Sequence, residues 1–294
     1  AQLAEAIEGS IPSEQVARLL QRDLPEALAL RPHLGPLVRG NLPEPLTSFV
    51  GREPELATLA ALVRRSKLVT LVGPGGCGKT RLALEAARDI AHRGGRVHRS
   101  AIRLADGVWW VELAGVADPD MFVHAVASTL GVAEDSDRDL AETLVQTVGP
   151  RRMLLVLDNC EHLVPAVRQL TEALSRRSFA VRVLATSRER LGARGERVLA
   201  VPPLSLPDSD VELAAASVAR FEAPRLFAER AVRAWPGFRL ADRNAPSVVR
   251  VCRRLDGLPL AIELAAARIR LLSADEIADR LDDRFGMLGA GVRT

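Results

Sequence analysis

The stretch "LVTLVGPGGCGKTRLAL" (residues 68–84) joins an apolar run to a glycine-rich segment, a Lys-Thr pair and a helical pattern. Residues 73–80 match G-x-x-x-x-G-K-[ST], the pattern of a phosphate-binding loop between a strand and a helix. Glycines let successive main-chain N–H groups point at phosphate oxygens, and the following helix N-terminus adds partial positive charge. The stretch therefore predicts a site for a nucleoside triphosphate or diphosphate with Mg²⁺.

The residue types in this loop predict separate roles. Lys79 is expected to reach the β- and γ-phosphates, and Thr80 is expected to ligate Mg²⁺. Lys67 and Lys79 are the only lysines in a chain whose other basic side chains are arginines, so a lysine at position 79 indicates a chemical requirement. The residues predicted to contact the nucleotide here are Gly73, Gly75, Gly76, Cys77, Gly78, Lys79, Thr80 and Arg81.

The composition limits the class of protein. A chain of 294 residues is long enough for one large domain or two ordinary ones. No apolar run reaches the roughly 18 residues of a membrane-spanning helix, and the first ten residues lack the pattern of a secretory signal. Three scattered cysteines do not fit a disulfide framework or a metal cluster. We expect a cytoplasmic protein with reduced thiols and no contact with a membrane.

Hydrophobic patterning predicts an α/β fold. Strands alternating with helices indicate a parallel sheet that helices cover on both faces, and after residue 203 only helical patterns remain. We expect a five-stranded parallel sheet of the P-loop NTPase type, followed by a smaller all-α domain. The predicted strands are 67–72, 108–113, 153–157, 181–185 and 197–201, and the predicted helices among them are 79–92, 119–130, 138–148 and 163–176.

The domain boundaries follow from the same patterns. Residues 1–31 carry short helical patterns, and residues 32–48 are rich in proline and glycine, which is typical of a linker. The P-loop NTPase domain is predicted over residues 49–206 and the helical domain over residues 207–294. The chain begins and ends within what we expect to be larger elements.

An acidic element follows a second apolar strand, in "MLLVLDNCEH" (153–162). Asp158 is placed to hold Mg²⁺ directly or through water. Asn159 stands where many fast ATPases carry a glutamate base, and an asparagine can hydrogen-bond the attacking water but cannot accept its proton. Either hydrolysis is slow, or Glu161 or a partner supplies the base.

A third polar turn follows the strand in "VLATSRERL" (183–191). Thr186 or Ser187 is placed to contact phosphate or the attacking water. Arg188 is placed to contact the γ-phosphate through charge-assisted hydrogen bonds. The predicted catalytic residues are therefore Lys79, Asp158, Asn159 and Arg188.

Five ordered motifs give the chain a family resemblance. It resembles the signal-transduction ATPases with numerous domains (STAND), in the branch related to NB-ARC modules, and is similar to the ATPase segment of bacterial transcriptional regulators of the antibiotic-regulatory and LuxR types. The motifs are "LTSFVGREPELATL" (46–59), "LVGPGGCGKTRLA" (71–83), "LLVLDNCEHL" (154–163), "VLATSRERLGARGERV" (183–198) and "CRRLDGLPLAIELAA" (252–266).

The resemblance implies a regulatory switch that is closed with ADP and open, often oligomeric, with ATP. It implies that Phe49, Val50, Gly51 and Arg52 border the adenine and ribose, and that Pro259 lies against the base. It also implies partner domains beyond these residues, namely a DNA-binding effector, a winged-helix domain that would begin near the end of the chain, and a repeat sensor. DNA is then bound outside this segment.

Two other functions remain open from the sequence. A work-performing ATPase or a small-molecule kinase predicts fast turnover and a glutamate beside Asp158, and Asn159 disfavours it. Direct DNA binding would use residues 1–30 or the basic segment 91–107, and the net charge of +3 does not by itself establish such a surface.

Overall fold

The computed structural model describes residues 39–93, 104–134, 137–208 and 213–289. Four regions lie outside the described residues: the predicted N-terminal helical segment, residues 32–38 of the predicted linker, most of the basic segment 91–107, and the end of the chain, where a winged-helix domain is expected to begin.

The strands form one parallel sheet. Five strands lie in the order β2-β3-β4-β1-β5, and every pairing between neighbours is parallel. The strands are β1 (Leu68–Val72), β2 (Gly107–Glu112), β3 (Met153–Asp158), β4 (Arg182–Ser187) and β5 (Arg197–Ala200). Each predicted strand is confirmed, with its ends displaced by no more than two residues.

Five helices accompany the sheet within the described residues. Helix ends follow from capping chemistry: Asp118 accepts a hydrogen bond from the main chain of Asp120 at 2.9 Å, and Gly131 ends the same helix with φ of 64°. The helices are α1 (Glu53–Arg65), α2 (Lys79–Arg93), α3 (Pro119–Leu130), α4 (Leu140–Val148) and α5 (Val164–Arg177).

The sheet is covered on both faces. Along the fully buried strand β3, Leu155 and Leu157 belong to a hydrophobic cluster with α3, α4 and α5. Leu154 and Val156, whose side chains point to the other face, belong to a second cluster with α1 and α2. The continuous apolar character of this strand therefore reflects burial on both sides.

The rest of the described chain is helical. The helices are α6 (Ala215–Val218), α7 (Glu222–Ala234), α8 (Ala245–Arg254), α9 (Pro259–Ala266), a 3₁₀ turn (Ala267–Arg270) and α10 (Ala274–Gly289). Residues from α7 to α10 share a third hydrophobic cluster, whereas α6 packs in a smaller one with α8. We call residues 213–289 the helical part. The expected α/β fold followed by a helical region is confirmed.

Capping chemistry also explains the start of α10. The main chain of Ser273 donates to the Glu276 carboxylate at 2.7 Å, and the main chain of Glu276 donates to the Ser273 hydroxyl at 3.2 Å. These reciprocal bonds form a capping box. The hydrogen bonds from Ser273 lower the pKa of Glu276.

The helical part meets the carboxyl edge of the sheet through the turn between α8 and α9. Gly257 in this turn has φ of 64°, and a Cβ atom there would lie 2.6 Å from the carbonyl oxygen of Leu204. The main chain of Leu204 also donates to the carbonyl of Gly257 at 3.0 Å. A larger residue at position 257 would push the turn away from the segment that follows β5.

Candidate nucleotide-binding site

A cavity of about 650 Å³ lies between the carboxyl edge of the sheet and the helical part. Its volume falls in the range of small-molecule sites. The predicted site residues that line it are Phe49, Val50, Arg52, Gly75, Gly76, Gly78, Lys79, Thr80, Arg81, Asn159, Arg188 and Pro259. Among the predicted residues, Gly51, Gly73, Cys77 and Asp158 do not line it, and the Cys77 side chain is fully buried.

Lys79 lies at the first position of α2, directly after the glycine-rich loop. Its ammonium group donates to the carbonyl oxygens of Gly73 at 2.8 Å and of Pro74 at 3.0 Å. A lysine ammonium has three N–H donors, so one donor remains for a ligand. The helix N-terminus and this ammonium place positive charge at the same end of the cavity.

Asp158, the last residue of β3, is held by two hydroxyl groups. Thr80 Oγ1 donates to Asp158 Oδ1 at 2.8 Å, and Thr186 Oγ1 donates to the same oxygen at 2.6 Å. Burial raises the pKa of Asp158, the hydrogen bonds from Thr186 and Thr80 oppose that rise, and the negative charges of Glu112 and Glu161 add to it.

These oxygens fit a hydrated Mg²⁺ ion. Mg²⁺ takes one or two carboxylate or hydroxyl oxygens and relies on phosphates and water for its other ligands, and Thr80 and Asp158 supply such a pair. In the part of the chain that the structure describes, no group of three or more His, Cys, Asp or Glu side chains forms a metal cluster.

Asn159 follows Asp158 with φ of 68°, a left-handed conformation that asparagine tolerates better than most residues. Its main-chain N–H donates to Thr186 Oγ1 at 2.9 Å, and the next N–H, of Cys160, donates to the carbonyl of Thr186 at 2.9 Å. The loop after β3 is thus fastened to the end of β4. The Asn159 side chain lines the cavity.

Arg188, one residue beyond β4, forms an ion pair with Glu161. The distance from Arg188 Nε to Glu161 Oε1 is 2.9 Å. The other carboxylate oxygen of Glu161 is buried and has no hydrogen-bond partner within the described residues. Both side chains line the cavity.

Another part of the cavity lining combines the segment before α1 with the start of α9. The Arg81 guanidinium lies 5.9 Å from the centre of the Phe49 ring and also donates to the carbonyl of Thr47. The main chain of Leu260 donates to the carbonyl of Gly76 at 3.2 Å. Gly76 has φ of 77°, and a Cβ atom there would lie 3.1 Å from Leu260 Cβ, so this glycine permits the close approach.

Arg52 has a structural role that sequence reasoning missed. Its side chain is only 2% exposed, and Nη2 donates to the carbonyl of Cys77 at 2.8 Å and of Pro202 at 2.9 Å. Its main-chain N–H donates to Glu222 Oε1 at 2.6 Å, and Glu222 Oε2 accepts from the main chain of Ser205 at 3.0 Å. Position 222 gave no signal, because an acidic residue in the first turn of a helix is ordinary.

Arg230 on α7 is a second residue that the sequence did not single out. It donates to the carbonyl of Ser48 at 2.9 Å and pairs with Glu263 of α9 at 2.9 Å. The side chain lines the cavity. It therefore ties the segment before α1 to two helices of the helical part.

Comparisons with known proteins agree with this geometry. Residues 48–187 match the family model described as an AAA ATPase domain. The chain is 43% identical over 235 residues to a Mycobacterium tuberculosis protein named "Putative HTH-type transcriptional regulator", and the match covers 80% of this chain and 24% of that protein. It is 40% identical over 252 residues to an uncharacterised protein of the same species, covering 84% of this chain and 58% of that protein. The chain thus spans about a quarter of the length of the transcriptional regulators that it matches.

Solved structures share the fold at low identity. A STAND protein with a tetratricopeptide repeat sensor from Pyrococcus horikoshii aligns with a TM-score of 0.50 at 15% identity, over 85% of this chain and 34% of that one. A Walker-type ATPase of Pyrococcus abyssi aligns with a TM-score of 0.51 at 13% identity, over 83% of this chain and 74% of that one. At such identities the likeness shows the fold alone.

Across the described ranges, the structure contains no helix that is both long and apolar enough to cross a bilayer.

Proposed function

We propose that this chain, whose residues 48–187 match an AAA ATPase domain, is a nucleotide-controlled switch module of a multidomain transcriptional regulator. ATP or ADP with Mg²⁺ occupies the cavity at the carboxyl edge of the sheet. ADP/ATP exchange and slow hydrolysis change the orientation of the helical part relative to the sheet, or drive self-association.

One observation carries this proposal: the phosphate loop and the helical part touch inside the cavity. The main chain of Leu260 bonds to Gly76 of the loop, and Pro259 lies beside Gly78, where a Cβ atom would be 3.6 Å from its ring. A ligand in the cavity thus contacts both regions at once. To change the ratio of open to closed form from 1:99 to 99:1, ATP must favour the open form by about 5.5 kcal/mol. Charge-assisted hydrogen bonds to one added phosphate are of that order.

The phosphate end of the cavity has defined roles in this proposal. Lys79 and the main-chain amides of the loop bind the β- and γ-phosphates, Thr80 and Asp158 hold Mg²⁺, and Arg188 contacts the γ-phosphate. The ion, when bound, neutralises negative charge that develops on the phosphates. Asn159 orients the attacking water without accepting its proton, and the loss of a general base slows such reactions by about 10²–10⁴-fold.

The opposite end of the cavity binds the adenine and ribose. Phe49, Val50 and Pro259 offer apolar surface to the base, whereas Gly51 and Arg52 border the ribose through their main chain. These assignments rest on the family resemblance together with the position of Phe49, Val50, Arg52 and Pro259 in the cavity lining.

The partners in this proposal are other domains of a longer regulator: a DNA-binding effector, a winged-helix domain and a repeat sensor. An HTH element appears in the name of relatives that are about four times longer than their matched region. The switch acts in the cytoplasm and, with ATP, forms homo-oligomers, while DNA is bound outside the segment described here.

The test is to purify the protein, denature it and identify what is released, alongside steady-state turnover. We expect about one ADP per chain and slow Mg²⁺-dependent hydrolysis. A turnover on the order of 10 s⁻¹, typical of metabolic enzymes, would contradict a switch and favour the work-performing ATPase or kinase. A protein that neither retains nucleotide through purification nor binds added nucleotide would contradict the nucleotide-binding site itself.

A further inference from the structure

The loops after β3 and β4 bring two opposite charges to the cavity. These strands are parallel neighbours, with Leu157 opposite Ala185, so their carboxyl ends lie side by side. Hydrogen bonds from residues 159 and 160 to Thr186 fasten the first loop to the second. Glu161, three residues past β3, thereby meets Arg188, one residue past β4, with 2.9 Å between Oε1 and Nε.

The two partners differ in burial. The Glu161 side chain is 18% exposed, whereas the Arg188 side chain is 69% exposed. The second carboxylate oxygen of Glu161 is buried without a hydrogen-bond partner in the part of the chain described. A carboxylate with an unsatisfied buried oxygen is costly, so the arginine is the group that compensates the Glu161 charge in this arrangement. The exposed arginine is the partner that is free to turn.

We propose that Glu161 competes with the γ-phosphate for Arg188 and thereby sets the preference of the cavity for ADP over ATP. This inference rests on the proposed function, in which Arg188 contacts the γ-phosphate. Carboxylate and phosphate oxygens are both acceptors for the same guanidinium donors. ADP leaves the ion pair intact, but ATP must draw the guanidinium away or share it.

The cost falls on ATP and not on ADP. When the γ-phosphate takes Arg188, the half-buried Glu161 carboxylate loses its compensating cation, which is unfavourable. Glu161 is thus a specificity-determining residue that acts through Arg188, and it holds the module in the ADP-bound state.

The experiment is a double-mutant cycle read by isothermal titration of ADP and of a non-hydrolysable ATP analogue, both with Mg²⁺. We expect Glu161→Gln to raise the affinity for the analogue relative to ADP by about three- to fivefold, which is what a partly exposed ion pair supplies. We expect Arg188→Gln to lower the affinity for the analogue. In the double variant the gain in affinity from Glu161→Gln should disappear, because Arg188, through which Glu161 acts, is absent.

A matched control is Glu172→Gln, which alters a glutamate that pairs with Arg176 outside the cavity. It should leave both affinities unchanged. The proposal is overturned if Glu161→Gln has the same ratio of affinities for the ATP analogue and for ADP as the unmodified protein. If that ratio is unchanged and only hydrolysis slows, Glu161 acts as a general base instead. A gain that persists in the double variant also overturns it, because direct repulsion would then suffice. Failure of the unmodified protein to bind either nucleotide overturns the proposed function as well.

Discussion

The two ends of the cavity are built in different ways. The phosphate end consists of three short segments at the carboxyl ends of strands: residues 73–81 after β1, 158–161 from the last residue of β3, and 186–188 from the last two residues of β4. The base end is assembled from segments that are remote in sequence, as in the hydrogen bond between Arg230 and Ser48, which lie 182 positions apart. The first end depends on the sheet, and the second depends on how the helical part packs.

This difference indicates which end responds to a change of nucleotide. A parallel sheet with a fully buried inner strand, β3, keeps its loops in place, so the phosphate end should stay nearly fixed. The base end includes α9, whose first turn is half-exposed at Leu260 and touches the loop at Gly76 and Gly78. A displacement of the helical part would break these contacts, together with the bonds of Glu222 to Arg52 and of Arg230 to Ser48.

Arg52 joins the two ends, and removing its side chain is the change with the largest expected effect. Arg52→Ala leaves the carbonyls of Cys77 and Pro202 without their donor. A buried acceptor that loses its partner costs about 1–3 kcal/mol, so we expect the free energy of unfolding to fall by about 2–4 kcal/mol, measured by urea denaturation.

The matched control is Arg64→Ala, on the exposed side of α1. Surface substitutions of this kind stay within about 0.5 kcal/mol. If the two variants had the same free energy of unfolding, the hydrogen bonds from Arg52 to the loop would contribute nothing to stability. Arg52 would then not connect the two ends of the cavity.

The difference between local and long-range contacts also explains how much of the fold could be predicted from the sequence. Apolar runs with helices between them were enough to predict all five strands, because period and length separate a buried strand from a helix over such stretches. The caps at Asp118, Gly131 and Ser273 were also predictable, since capping depends on residues next to each other in the chain. The match of residues 48–187 to an AAA ATPase domain agrees with the P-loop ATPase part of the expected resemblance.

The site divides along the same line. Lys79, Thr80, Asp158 and Arg188 were predictable as a group because the carboxyl ends of neighbouring parallel strands meet at one edge. The bond between Arg52 and Glu222 was not, because 170 residues separate the partners and neither lies in a pattern that names the other. Long-range pairs of ordinary charged residues carry no local signal, so only packing of the helical part reveals them.

Lys79→Ala tests the phosphate end directly and should have the next largest effect. It removes one charge-assisted donor, and such hydrogen bonds are worth about 1.5–3 kcal/mol. We therefore expect the affinity for both ADP and ATP to fall by roughly 10- to 150-fold in isothermal titration, with a smaller dependence on salt. Lys67→Ala, which removes the other lysine of the chain at the opposite edge of the sheet, should leave both affinities unchanged. Retained affinity in Lys79→Ala would refute the phosphate-loop assignment.

Leu260→Ala tests the contact between α9 and the phosphate loop and should have the smallest effect. Leu260 is 53% exposed and packs on Gly76, so truncation removes apolar contact worth about 0.5–1 kcal/mol. The affinity should fall by about two- to fivefold, equally for ADP and ATP, because this side chain is not among those proposed to contact the γ-phosphate. Leu264→Ala, one turn further along α9 and outside the cavity lining, should bind both nucleotides as the unmodified protein does. An effect of Leu260→Ala on ATP alone would show that the γ-phosphate acts on α9 directly rather than through the loops that follow the strands.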